Sequence, residues 1–318
     1  MRTNGNHIEG IMALDERIIT QAIVERWHKK FQESLDVDVC IVGGGPAGIV
    51  AGYFLATRGH RVSLFERKLS LGGGMWGGGM MFNEIVVQEE ARELLDQFGV
   101  PTVRFTGEYY CADSVLCTTT LASKACLAGL RIWNLMSIED VVMRSERITG
   151  LVINWSPVKR LDLHVDPLSV RSAYVMDGTG HPAEITTLIT RKMGVRLNNA
   201  TGQVVGELPL WAHEGEQFTV VNTDEVYPGL FVTGMAANNA YGGPRHHVIG
   251  NHDMDGGFKR EQTVAWYGMP ARYHAFDHGG VRFITLDGNE GVLYNGAARV
   301  EEHVPHELIA RLERLRRI

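Results

Sequence analysis

Gly43, Gly45 and Gly48 stand in the spacing Gly-x-Gly-x-x-Gly, starting directly after the apolar run VDVCIV, and Glu66 follows at the end of the next apolar run. Residue types in this order suit binding of a dinucleotide. Gly43 permits a tight turn, Gly45 lets backbone approach a pyrophosphate, and Gly48 lets a helix pack on the strand with its N-terminal dipole toward the phosphates. Glu66 is placed to accept hydrogen bonds from a ribose, and Arg67 beside it adds a charge or a stacking contact. FAD and NAD both use this turn, so either one remains open at this point. A second glycine-rich stretch, LSLGGGMWGGGMMFNE (69–84), offers backbone amides to a large ligand. Its interleaved Met75, Trp76, Met80, Met81 and Phe82 argue against a free loop, which would not carry so much apolar surface. His181 follows Gly178-Thr179-Gly180 at the end of another apolar run, a place where ligands bind in open α/β sheets.

The elements that must position these residues follow from periodicity. Residues 13–34 carry Ile18, Ile19, Ile23, Trp27 and Phe31 at helical spacing, predicting an amphipathic arm (1–36) ahead of the main domain. VDVCIVGGG reads as a buried parallel strand, PAGIVAGYFLATRGH as a helix stopping at Gly59, and RVSLFER as a second strand, which together make a βαβ unit. Glu84–Phe98 and Leu121–Ala128 are expected to be helical, and residues 131–155 to form several short strands. Residues 170–181 and 229–239 read as strands closing on small residues near the nucleotide. The fold class is therefore α/β, a Rossmann-like FAD/NAD(P)-binding three-layer fold.

Composition narrows the function. A hydrophobic fraction of 44% and a charged fraction of 21% fit a globular protein, and a net charge of −6 offers no basic field to nucleic acid or an anionic membrane. The four cysteines, Cys40, Cys111, Cys117 and Cys126, form no CxxC pair and are expected to be buried, reduced thiols. With no apparent N-terminal signal or long apolar stretch, a cytoplasmic location is expected.

VDVCIVGGGPAGIVAGYFLA, FERKLSLGGGMWGGGMMFNEIVVQEE, GLVINW, LHVDPLSVRS, DGTGH and VYPGLFVTGMAANNAYGGPR, in this order, closely resemble the archaeal-type thiazole synthases of thiamine biosynthesis, from about residue 10 to Arg245. The resemblance implies a flavoenzyme-like fold that uses NAD as a substrate. Nicotinamide is removed, the ADP-ribose fragment is joined to glycine, and sulfur addition and cyclisation give an adenylated thiazole carboxylate. Carried over residue by residue, it implies that Ala47, Glu66, Arg67, Gly74 and Ile138 hold the nucleotide, and that His164, Val165, Asp166 and Met235 line its reactive end. Asp166 and His181 would bind Fe(II) at a site shared between protomers of a homo-oligomer, an octamer in the family, and Arg245 would hold the glycine carboxylate. Asp and His suit Fe(II), and a guanidinium suits a carboxylate. Fungal and plant relatives sacrifice a cysteine in the loop that here reads LDLHVDP (161–167), where His164 takes that position. Histidine cannot donate sulfur, so the sulfur is expected to come from free sulfide, with His164, Asp166 and His181 as the catalytic set. The readings set against this one are an FAD-dependent oxidoreductase and an inert chimera that only binds nucleotide.

Beyond Arg245 the family's Met-Gly-Pro segment, Gly-Gly-Met turn and closing helix are absent, which leaves a synthase-like domain over 37–245 without its usual C-terminal helix. Residues 246–318 instead resemble an internal fragment of the calcineurin-like metallophosphoesterases, with strand cues and a final charged helix. In Gly250-Asn251-His252-Asp253, the resemblance gives Asn251 a metal and His252 a phosphate. A two-metal site needs an upstream Asp-x-His and a downstream His-x-His, and His303 and His306 do not supply the latter, so this segment is expected to be inactive.

Overall fold

The computed structural model describes residues 14–246 and the strand residues 273–278 and 281–286. The chain divides into two units, Met1–Gly257 and Phe258–Ile318. In the first, the helices are α1 (Glu16–Gln32), α2 (Pro46–Thr57), α3 (Glu89–Gln97), α4 (Ser114–Leu127), α5 (Ser156–Arg160), α6 (Glu184–Met193), α7 (Ala212–Val221) and α8 (Met235–Tyr241). The strands are β1 (Asp36–Val42), β2 (Val62–Glu66), β3 (Glu84–Val87), β4 (Val103–Thr106), β5 (Tyr109–Asp113), β6 (Arg131–Asn134), β7 (Met136–Arg144), β8 (Arg147–Trp155), β9 (Leu168–Asp177), β10 (Glu225–Tyr227) and β11 (Leu230–Val232). In the second unit, β12 (Tyr273–His278) and β13 (Val281–Leu286) pair antiparallel. The second of these falls where the sequence predicts a strand. Asn251, His252, His303, His306 and the final predicted helix lie outside the described residues.

An eight-stranded sheet carries the first unit, with β11, β9, β1, β2 and β6 parallel in that spatial order. Its centre is made of apolar β-formers with no exposure: Cys40, Ile41, Leu64, Val175 and Val232 are each 0% exposed. Burying a Leu, Ile or Phe side chain of this kind contributes about 1.5–3 kcal/mol. The antiparallel pair β7–β8 joins this sheet through β8 and β9. A separate three-stranded sheet has the order β3-β5-β4. From β1 the chain moves one way to β2, while β9 lies on the other side of β1. The switch point between β1 and β9 is where a sheet of this type opens a crevice beyond its strand ends.

Four expectations are revised. The predicted helix over Glu84–Phe98 begins as β3, because Ile85 and Val87 alternate into the core and pair with β5, and the helix starts only at Glu89. Residues 131–155 form one short strand and two nine-residue strands, β7 and β8. Cys126 is exposed, since its position on α4 faces away from the side that buries Cys117 and Leu121. Helix α1 forms as expected, yet Ile18, Ile19 and Ile23 stay exposed, and only its C-terminal end docks. There Phe31 is buried, and its ring meets Trp133 edge-on at 5.2 Å.

Candidate functional site

At the switch point, the ends of β1 and β9 are drawn together by two backbone features. Gly178 donates its N–H to the Val42 carbonyl at 2.8 Å. Gly43 has φ +101°, and a Cβ there would lie 2.3 Å from the Gly178 oxygen, so no side chain fits. Gly45 is the opposite case. It is the N-cap of α2, no side chain caps that end, and a Cβ placed on it would meet nothing within 4 Å. The helix N-terminus therefore opens onto space, with donors directed at whatever occupies it.

The second glycine stretch folds over this turn, with the Gly72 N–H donating to the Gly44 carbonyl at 2.7 Å. Met75 is fully buried and Trp76 half-buried, and the indole donates to the Leu71 carbonyl. Met80, Met81 and Phe82 are exposed, so only the first part of the expected apolar packing is met within this chain. Glu66, only 7% exposed, accepts the Gly44 N–H through Oε2 and the Lys68 N–H through Oε1, both at 2.7 Å. One lone pair per oxygen remains for a sugar hydroxyl.

Asp177, which the sequence reading did not single out, organises the other wall. Its carboxylate is wholly buried and accepts from the backbone N–H groups of Thr179, Ile185 and Thr186 at 2.9–3.1 Å. It also accepts from the hydroxyls of Thr179 and Thr186 at 2.7 and 2.8 Å. The Thr179 hydroxyl in turn accepts the Glu184 N–H at 2.7 Å. Together these bonds cap α6, whose own N-cap residue, Ala183, has no side chain able to do so, and they fix the loop that ends at His181. The acidic residue opening Asp-Gly-Thr-Gly-His was the available signal.

A cavity of about 620 Å³ results, lined by Gly43, Gly45, Ala47, Glu66, Arg67, Gly74, Ile138, His181 and Met235 among others. Gly48 is buried behind the turn, where a Cβ would lie 2.1 Å from the Gly43 oxygen. Arg67 is paired with Glu184, another lining residue. Cys117 also lines the cavity, and burial pushes its thiol up to about 11. His164, Val165, Asp166 and Arg245 are exposed and are not among the lining residues. Among the described residues, no three His, Cys, Asp or Glu side chains cluster as a metal site within one chain. No helix among them is long and apolar enough to cross a membrane.

Residues 20–249 match the model of the Thi4 family. The chain is 57% identical over 238 residues to the thiamine thiazole synthase of Solidesulfovibrio magneticus, covering 74% of this chain and 90% of that one. It is 56% identical over 234 residues to the enzyme of the same name from Methanothermobacter thermautotrophicus, covering 74% of this chain and 91% of the relative. The crystal structure of Thermovibrio ammonificans THI4 superposes with a TM-score of 0.73 at 51% identity, covering 74% of this chain and 92% of that one. The strands that meet at the cavity all lie inside the matched span, and the chain belongs to the Thi4 family.

Proposed function

We propose that this chain forms the adenylated thiazole carboxylate of thiamine biosynthesis from NAD, glycine and free sulfide, with Fe(II) bound. A role in thiamine thiazole biosynthesis follows from family membership. The substrates rest chiefly on one observation: open space at Gly45, the Glu66 carboxylate and His181 line the same cavity.

The residues present fit the nucleotide. The α2 N-terminus suits the pyrophosphate, because its free N–H groups and dipole favour negative charge. Glu66 receives a ribose on the lone pairs left free while the Gly44 and Lys68 N–H groups hold its carboxylate in place. Arg67, Gly74, Ala47 and Ile138 complete the nucleotide wall, and Met235 lies toward the reactive end. His181 fits Fe(II) as a neutral imidazole with a carboxylate on its far nitrogen. Asp166, exposed and outside this chain's cavity, fits a ligand donated to a neighbouring protomer, and His164 and Val165 travel with it on the same loop. The exposed apolar residues of α1, together with Met81, Phe82, Val103 and Phe105, supply surface for a homo-oligomer. Arg245, equally exposed, is assigned to the glycine carboxylate.

When bound, iron supplies a Lewis-acid centre that holds soft sulfide near an electrophilic carbon. The protein's own part is to grip the adenylate end, fix His181 and offer no sulfur of its own. The one thiol lining the cavity, Cys117, is protonated near neutral pH because burial holds its titration near 11. The segment 246–318 is assigned no phosphoester chemistry, since Asn251 and His252 lack the partner ligands that a two-metal centre needs.

Anaerobic incubation with NAD, glycine, sulfide and Fe(II), followed by mass spectrometry, tests this reading. Repeated turnover to the adenylated thiazole is expected. Protein that purifies yellow with a bound flavin, or that makes no thiazole, would overturn it.

A further inference from the structure

The geometry points to Glu207 as the positioning residue of the metal ligand His181. The inference rests on the reading that His181 binds a divalent metal. Glu207 Oε1 and His181 Nδ1 are 2.6 Å apart, and the Glu207 side chain is 17% exposed against 42% for the imidazole. A carboxylate acceptor at this distance keeps the proton on Nδ1 and leaves the lone pair of Nε2 for a metal. It also turns the ring into one plane and raises its donor strength.

Glu207 is itself held from both sides. Gly206 donates its N–H to the Asn239 carbonyl, and Leu208 to the Gly243 carbonyl, both at 2.9 Å. Arg245 closes the pairing by donating its N–H to the Leu208 carbonyl at 3.1 Å. Asn239 reaches back with its side-chain amide to the His181 carbonyl. Ring and backbone of His181 are thus fixed by one laced pair of segments, around residues 206–208 and 239–245. Glu207 touches neither the nucleotide turn nor the Asp177 network through any of these bonds, so its effect is separable from theirs.

Anaerobic Co(II) titration of the full chain, followed by its visible d–d bands, tests the assignment. Wild type, E207A, E207Q and H181A are compared, and each metal-free protein is melted as a folding control. E207A is expected to bind Co(II) ten- to a hundredfold more weakly with an unchanged metal-free Tm. E207Q, which accepts the same hydrogen bond without the charge, is expected between E207A and wild type with a shifted band. E207A binding within twofold of wild type with the same bands would overturn the role of Glu207. Should E207A fail to fold, E207Q decides, and an unchanged affinity and spectrum would overturn it equally. H181A binding as tightly as wild type, or no Co(II) bands from wild type, would overturn the metal reading itself and this inference with it.

Discussion

The turn after β1 and the loop 161–167 contain residues of comparable expected importance, yet the fold treats them in opposite ways. Gly43 and Gly48 are locked by close backbone contacts and Glu66 by backbone hydrogen bonds, while Gly45 opens onto the cavity that Gly43 and Glu66 also line. His164, Val165 and Asp166 lie exposed on the surface, and they are not among the residues that line the cavity with His181. The turn does work that one chain completes, since its constraints are steric and local. In the proposed reading the loop's side chains serve a second protomer, which would give a single chain no reason to bury them.

The largest effect should separate two glycines of the same turn. Gly43→Ala forces a Cβ against the Gly178 oxygen at a positive φ and is expected to cost about 3 kcal/mol or more, or to prevent folding, in a denaturation curve. Gly45→Ala should keep the wild-type Tm while weakening NAD binding at least tenfold by calorimetry, because its methyl enters empty cavity space. Equal loss of stability in both would remove the distinction between a packing glycine and a binding glycine.

Next comes Asp166, one of the two proposed metal ligands. Asp166→Ala, at an exposed loop residue, should leave the Tm unchanged yet abolish thiazole formation measured by mass spectrometry. Wild-type activity in that variant would show the loop to be mere surface. A smaller effect is expected for Asp177→Asn. It disturbs a carboxylate that accepts five hydrogen bonds, and should cost about 1–3 kcal/mol in urea unfolding while sparing the turn around Gly43. The smallest is a null result. The intact mass of the protein should be unchanged after many turnovers, as the proposed use of free sulfide requires.

The sequence made the first region legible and the second only by likeness. A Gly-x-Gly-x-x-Gly spacing after an apolar strand states a steric requirement, and at Gly43 any Cβ would lie 2.3 Å from the Gly178 oxygen. The βαβ unit and the parallel strands follow from periodicity for the same reason. Asp166 carries no local signal: it stands between Val165 and Pro167 in an exposed loop, and its assignment depends on resemblance. Glu207 left no trace at all, since its partner is 26 residues away and only the pairing of 206–208 with 239–245 brings them together. The run 84–87 misled because Glu-Ile-Val-Val flows into a helical period, while the hydrogen bonds that make it a strand come from β5.

Mixing variants tests the division between the two regions most directly. Asp166→Ala and His181→Ala each remove one ligand of the proposed metal site. They are to be unfolded together, refolded as mixed oligomers and assayed anaerobically for the adenylated thiazole. Recovery of product in the mixture, with neither variant active alone, is the predicted result, because some sites would then combine an intact loop from one protomer with an intact His181 from another. A mixture as inactive as its two components would contradict it.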